Sequence, residues 1–191
     1  MKRRTALKQF GVVIGGAILL PSCFGKDAPL TIHLHKIVIT GNQENVLAAI
    51  ADCLIPKTDV LGASEVKAHH FALRMMDDCY EPEAQQKFLT GLAQVEKAIE
   101  EKTDKTFDEA SPEEQTLFLQ EVEAGKIVPA LKEGEVNSIA EFFAPFRKQV
   151  IRGYLGSEYV MTTIFGYNMV PGRFDGAVEI NATSDLKTIL G

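Results

Sequence analysis

The chain has 191 residues, of which 46% are hydrophobic and 24% are charged, so it can bury one sizeable core and is too apolar to be disordered. Its 20 basic and 26 acidic residues give a net charge of −6, which argues against nucleic-acid binding because such proteins present a basic face. With only three cysteines and four histidines, it is neither a disulfide scaffold nor an obvious metal protein.

Residues 1–22 are predicted to be an export signal. A basic head precedes an apolar run over residues 10–20, which is too short to cross a bilayer as a helix, since that takes about 20 residues. Within the basic head, the pattern of Arg3, Arg4, Leu7 and Lys8 resembles a twin-arginine signal. The twin-arginine export machinery is therefore an expected partner.

The signal ends in LPSC at residues 20–23, which is similar to the cleavage motif of lipoproteins. We expect Cys23 to become the lipid-bearing first residue of a membrane-anchored periplasmic protein; the alternative is ordinary cleavage with Cys23 incidental. Without the signal, 16 basic and 26 acidic residues remain, a net charge of −10. So acidic a chain would not bind anionic lipid by charge, and its membrane attachment must come from lipid or from a partner.

Residues 23–42 are predicted to be a tether that contains a short strand over residues 31–39. Alternation places apolar side chains on one face and two histidines on the other. Two histidines without a third ligand favour a solvated strand edge over a metal site. The residues concerned are Ile32, Leu34 and Val38 on the apolar face, and His33 and His35 on the polar face.

From residue 43 to residue 180 the pattern predicts an all-α domain, compact and built from five to six helices, with residues 181–191 as a tail. Apolar residues recur at the three- and four-residue spacing of a helix with one buried face. The predicted faces are Leu47, Ile50, Ala51, Leu54; Val66, His70, Leu73, Met76, Tyr80; Phe88, Leu92, Val95, Ile99; Leu117, Phe118, Val122; and Ile139, Phe142, Phe143, Phe146, Val150, Tyr154.

Local signals set the expected helix ends. Proline disfavours helix in the residue before it and is well suited to a first turn, while serine caps helix N-termini. A Ser111–Glu114 pair around Pro112 is a capping box, the clearest of these signals. The expected boundaries are a stop before Pro56, caps at Ser64, Ser111 and Ser157, a start at Pro82, and a kink or two abutting helices at Pro145.

No motif for a cofactor, phosphate loop, covalent haem or catalytic nucleophile is present, so we assign no catalytic, cofactor-binding or metal-binding residue. Cys53 and Cys79 can form a disulfide in an oxidising periplasm or remain two buried thiols. Because His69 and His70 point about 100° apart on a helix, they are not expected to share an ion easily. A metal-dependent enzyme that uses them with Asp52 and Asp59 is a minor alternative.

Four segments in order resemble the gluconate 2-dehydrogenase subunit 3 family, and the resemblance covers roughly residues 43–180. The first is IADCLIP at residues 50–56, followed by Asp59 and by GA at 62–63. The second is Phe71 with RMMDDCY at 74–80. The third is GYLGSE at 153–158, and the fourth is VPGRFDG at 170–176. Relatives often carry a cysteine just after the last segment, where this chain has Ala177.

The resemblance implies a non-catalytic small subunit of a periplasmic sugar dehydrogenase complex. The partner would be a flavoprotein of the glucose–methanol–choline type that binds FAD and oxidises the sugar, often with a cytochrome c subunit that carries haem. The small subunit would escort the folded flavoprotein through export and stabilise it. The alternative is a free-standing helical lipoprotein that binds a ligand or a protein.

If the chain docks onto a flavoprotein, we expect the contact to involve the region 139–180. Interface cores are enriched in aromatic residues and arginine. The candidates are Tyr154, Tyr167, Arg173 and Phe174, and for Tyr154 and Phe174 a place in the core is an equal alternative.

Overall fold

A computed structural model describes residues 28–129, 131, 134–167 and 170. Within these residues the chain is all-helical, as predicted, with no strand. The elements are α1 (Gly41–Leu54), α2 (Ala68–Cys79), α3 (Pro82–Thr103), α4 (Pro112–Glu123), α5 (Ile139–Leu155) and a π-helical segment (Val160–Ile164). The predicted export signal and Cys23, which is predicted to carry lipid, lie outside the described residues.

The helix boundaries follow from local capping. Thr40 caps α1 in a box with Gln43, and α1 ends at Leu54, before Pro56. The predicted box at α4 is confirmed, because the Ser111 hydroxyl accepts from the Glu114 amide at 3.3 Å and the Glu114 carboxylate accepts from the Ser111 amide at 2.8 Å.

One predicted boundary is wrong, and one of the two alternatives at Pro145 is excluded. The helix expected to start at Ser64 begins at Ala68, because residues 62–67 form successive turns that end at Lys67 with φ 56°. The 139–155 region is one continuous helix through Pro145, not two abutting helices. The carbonyl that Pro145 leaves without its usual helical donor belongs to Glu141, which is an exposed residue.

Helix α5 is the centre of the fold, and it packs most extensively against α3 and α2 while also contacting α1, α4 and the π-helical segment. Its predicted apolar face is buried in full. Phe142 lies between the rings of Phe88, at 5.1 Å between centroids, and Phe146, at 5.6 Å. The apolar seam predicted for α3 is likewise buried, and on α4 Phe118 and Val122 are buried while Leu117 is exposed.

The predicted strand over residues 31–39 is absent, and the segment is irregular. Ile32, Ile37 and Ile39 are buried, while Val38, which was expected on the apolar face, is exposed. Strict alternation fails here because the backbone amides bond to side chains of the helices rather than to a neighbouring strand. This part of the predicted tether is therefore packed against the helical body.

Candidate functional site

Two of the residues predicted to dock a partner, Tyr154 and Tyr167, lie within the described part of the chain. Tyr154 is buried, and its hydroxyl donates to the Leu61 carbonyl at 2.9 Å, so the core alternative is correct for this residue. Tyr167 is exposed, and its backbone amide donates to the Met161 carbonyl at 2.7 Å. Arg173 and Phe174 lie outside the described residues, as do the export-signal residues Arg3, Arg4, Leu7 and Lys8.

An exposed surface within the region 139–180 runs along the outer side of α5. Lys148, Ile151, Arg152 and Leu155 are all exposed and follow the spacing that places residues on one side of a helix. We call these four residues the α5 stripe. It combines two aliphatic side chains with two basic ones in a chain whose net charge is −6.

The two cysteines in the described residues are free thiols, so the suggested disulfide between Cys53 and Cys79 is not formed in the structure. Cys53 is half-buried, with its sulfur 3.7 Å from the Thr116 hydroxyl, and Cys79 is exposed at the end of α2. The alternative of two buried thiols is therefore wrong for Cys79.

A buried aspartate on α2 holds the segment before α1. The Asp77 carboxylate accepts backbone hydrogen bonds from His35 and Lys36, each at 2.7 Å, and from Ile37 at 2.8 Å. Burial by itself raises the pKa of Asp77, but these three donors outweigh it and hold the pKa below the ordinary value of 3.8. Asp77 is therefore ionised at neutral pH and fixes the path of the backbone beside it.

A second buried carboxylate, Glu44 on α1, binds the same segment. Its Oε2 accepts from the Thr31 amide at 2.7 Å, and its Oε1 accepts from the Thr31 hydroxyl. The Nε2 of His70 on α2 lies 2.7 Å from the same Oε1. Because a carboxylate can only accept, the His70 Nε2 carries the proton in this contact. Glu44 thus joins α1, α2 and the segment before α1 at one point.

His69 completes this cluster. One ligand atom from each of Glu44, His69 and His70 lies within 4.8 Å of the others. The His69 Nδ1 is buried and has no hydrogen-bond partner. Burial, followed by the neighbouring His70, lowers the pKa of His69 to about 4 against the opposing effect of Glu44 and Asp52, so this imidazole is neutral at pH 7.

Although His69 and His70 start about 100° apart around the helix, their ring centroids are 4.3 Å apart. The carboxylate beside them is Glu44 rather than Asp52 or Asp59. Asp52 instead accepts from the Ser64 amide at 2.8 Å. Glu44 had no local signal, since an acidic residue in the first turn of a helix is common and its partners lie 13 and 26 positions away.

No helix among the described residues is long and apolar enough to cross a membrane.

The family comparison covers most of the chain. The model of the family "Gluconate 2-dehydrogenase subunit 3" matches residues 41–172, a span that begins at the first residue of α1 and includes all five α-helices and the π-helical segment. No curated protein and no solved structure shows a significant match. The chain therefore belongs to the gluconate 2-dehydrogenase subunit 3 family.

Proposed function

We propose that this chain is a non-catalytic accessory subunit of an FAD-dependent sugar or gluconate dehydrogenase complex, in which it carries the flavoprotein through export and stabilises it. The observation that carries the proposal is the family match over residues 41–172. The flavoprotein of the glucose–methanol–choline type supplies FAD and the chemistry. A cytochrome c subunit accepts the electrons.

The N-terminal pattern supports the export part of the proposal. A flavoprotein that folds around FAD in the cytoplasm must be exported folded, and a twin-arginine signal on a bound subunit can carry both chains. Arg3, Arg4, Leu7 and Lys8 supply that signal, and Cys23 supplies the lipid anchor in the periplasm. A stable contact between the two chains before export is then required.

The α5 stripe is the surface we assign to that contact. Exposed aliphatic side chains lose unfavourable hydration when a partner covers them, and arginine is enriched at interface cores. Ile151 and Leu155 provide the aliphatic part, and Lys148 and Arg152 can pair with acidic groups of the flavoprotein. Tyr167, which is also exposed, follows the π-helical segment that packs on α5.

The test is recovery of the flavoprotein with the tagged full chain from membranes. A Leu155→Asp substitution places a charge in the contact and should lower recovery by at least about tenfold, the effect of losing about 1.4 kcal/mol of binding free energy. Leu117→Asp is the matched control, because Leu117 on α4 is 60% exposed and Leu155 is 47% exposed.

Leu117→Asp should leave recovery of the flavoprotein unchanged. The chain purified without its partner should carry no flavin absorbance and no dehydrogenase activity. Equal recovery with the two leucine variants would remove the α5 stripe as the contact. If no flavoprotein accompanies the unmodified chain, the accessory role itself is wrong.

A further inference from the structure

We propose that Glu44, His69 and His70 form a zinc site that joins α1 and α2 beside the segment before α1. The three residues offer two imidazole nitrogens and one carboxylate oxygen, all within 4.8 Å of one another. This is a donor set that Zn²⁺ takes in proteins, with a solvent molecule or another oxygen in the fourth position. The site is independent of the accessory role proposed above.

The unpartnered His69 nitrogen is the observation that points to a ligand. The side chain is 6% exposed, and its Nδ1 is buried without a hydrogen-bond partner. A buried polar atom in this state loses its water without gaining a partner, which costs free energy in the folded protein. A metal ion bound between His69, His70 and Glu44 would supply the missing interaction.

The geometry needs only a small closure. Ligand atoms at 2.0–2.1 Å from a tetrahedral zinc ion are about 3.3 Å apart, and the three ligand atoms here all lie within 4.8 Å of one another, so the closure is at most about 1.5 Å. The His70 Nε2 and Glu44 Oε1 already lie 2.7 Å apart. The His70 side chain is 15% exposed, which provides an entry path.

Binding also has a defined proton balance. The His70 Nε2 that now donates to Glu44 must lose its proton to bind zinc through that atom. In the neutral ring the proton moves to Nδ1, and from a charged ring one proton passes to water. The Thr31 hydroxyl lies 3.3 Å from the His70 Nε2 and offers a protein oxygen for the fourth position.

A hydrogen bond from the backbone already orients the Glu44 carboxylate. The Glu44 Oε2 accepts from the Thr31 amide at 2.7 Å, which leaves Oε1 facing His70. Zinc at Oε1 would therefore keep the contact between Glu44 and the segment before α1. The expected consequence is a more stable attachment of that segment to the helical body.

The experiment uses the full chain, freed of metal with a chelator and then titrated with Zn²⁺. We expect one zinc ion per chain by elemental analysis and calorimetry, a higher Tm with zinc, and the visible absorption of tetrahedral Co²⁺ when cobalt replaces zinc. X-ray absorption should show two imidazoles on the metal, a readout that does not depend on any variant folding.

The variants are His69→Gln and Glu44→Gln. Each is expected to weaken zinc binding more than about tenfold, because loss of a residue that only hydrogen-bonds to a metal ligand already lowers metal affinity about 10–100-fold. His33→Ala/His35→Ala is the matched control, because these two exposed histidines have ring centroids 5.2 Å apart and offer the competing site. Circular dichroism establishes that each variant is folded.

Three results would overturn the proposal. The first is an unmodified chain that binds no zinc. The second is zinc binding that is lost in His33→Ala/His35→Ala. The third is an X-ray absorption spectrum that shows fewer than two imidazoles on the metal. Zinc binding that persists unchanged in His69→Gln and Glu44→Gln would place the ion elsewhere and equally contradict the assignment.

Discussion

Asp77 shows how one side chain can organise a stretch of irregular backbone. Three consecutive amides, those of His35, Lys36 and Ile37, converge on its two oxygens. The same segment places Ile37 in the core. Hydrogen bonds to a charged acceptor contribute more than neutral ones, so a buried carboxylate with three donors is a strong local anchor.

Asp77→Asn should lower the free energy of unfolding by about 1–3 kcal/mol, because an amide replaces one acceptor oxygen by a donor and leaves a buried N–H group unpaired. Asp78→Asn is the matched control, since Asp78 is its exposed neighbour and should change stability by less than about 0.5 kcal/mol. Urea unfolding at neutral pH measures both.

The acid dependence of this effect has a definite sign. The pKa of Asp77 lies below 3.8 in the folded state, so its stabilising contribution is complete above that pH and is lost as the pH falls through the folded pKa. The stability difference between the unmodified chain and Asp77→Asn should therefore be constant from neutral pH to about pH 5 and shrink progressively below it. A difference that grows on acidification would contradict this account.

At the scale of elements, two of the contacts between helices depend on glycine residues, which have no side chain. A Cβ atom built on Gly91 of α3 would lie 2.1 Å from the Ser138 carbonyl oxygen and 2.6 Å from the Phe142 Cβ. The absence of a side chain at Gly91 therefore lets α3 approach the start of α5. Gly153 plays the same part between α5 and Phe71 of α2, where an added Cβ would lie 2.8 Å from the ring.

Gly91→Ala should destabilise the protein by roughly 1–3 kcal/mol, the usual cost of overpacking a well-packed contact, although alanine favours an isolated helix more than glycine does. The clash is with backbone, which cannot move aside as a flexible side chain can. Gly156→Ala is the control, because its Cβ would meet nothing closer than 3.2 Å at the exposed end of α5. Thermal unfolding measures the two variants, and a Gly91→Ala protein as stable as the unmodified chain would show that α3 and α5 can separate.

At the scale of the whole molecule, the predicted anchor and the helical body are close along the chain. Ala28, five residues after Cys23, donates its amide to the Asn42 side chain on α1 at 3.1 Å. Five extended residues span at most about 18 Å. If Cys23 carries lipid, the helical body and any docked flavoprotein are held next to the membrane.

Arg3→Lys/Arg4→Lys should strand the flavoprotein in the cytoplasm, because the partner carries no signal of its own in the proposed escort mechanism. Cell fractionation with detection of both chains measures the distribution. Cys23→Ser is the control: it should preserve export and shift both chains from the membrane to the soluble periplasm. Normal export of the flavoprotein in the double-arginine variant would contradict the escort role.

The sequence by itself determined the helices, because helix ends and buried faces depend on residues within a few positions of one another. The capping box at Ser111, the start at Pro82 and the aromatic face of α5 are of this kind. The four motifs in order also identified the family, which the match over residues 41–172 confirms. Signal, lipid anchor and partner stay predictions.

Only the tertiary structure decided the contacts between residues that lie far apart in the sequence. Asp77 reaches back about 40 positions to fix the segment before α1, and Glu44 meets His70 from 26 positions away. The same packing buried Tyr154 and exposed Leu155 beside it. A periodic sequence pattern does not encode such contacts. A polar residue in a helix fits the pattern equally well whether its side chain faces water or a buried partner. Which of the two it faces depends on the other elements that pack against the helix.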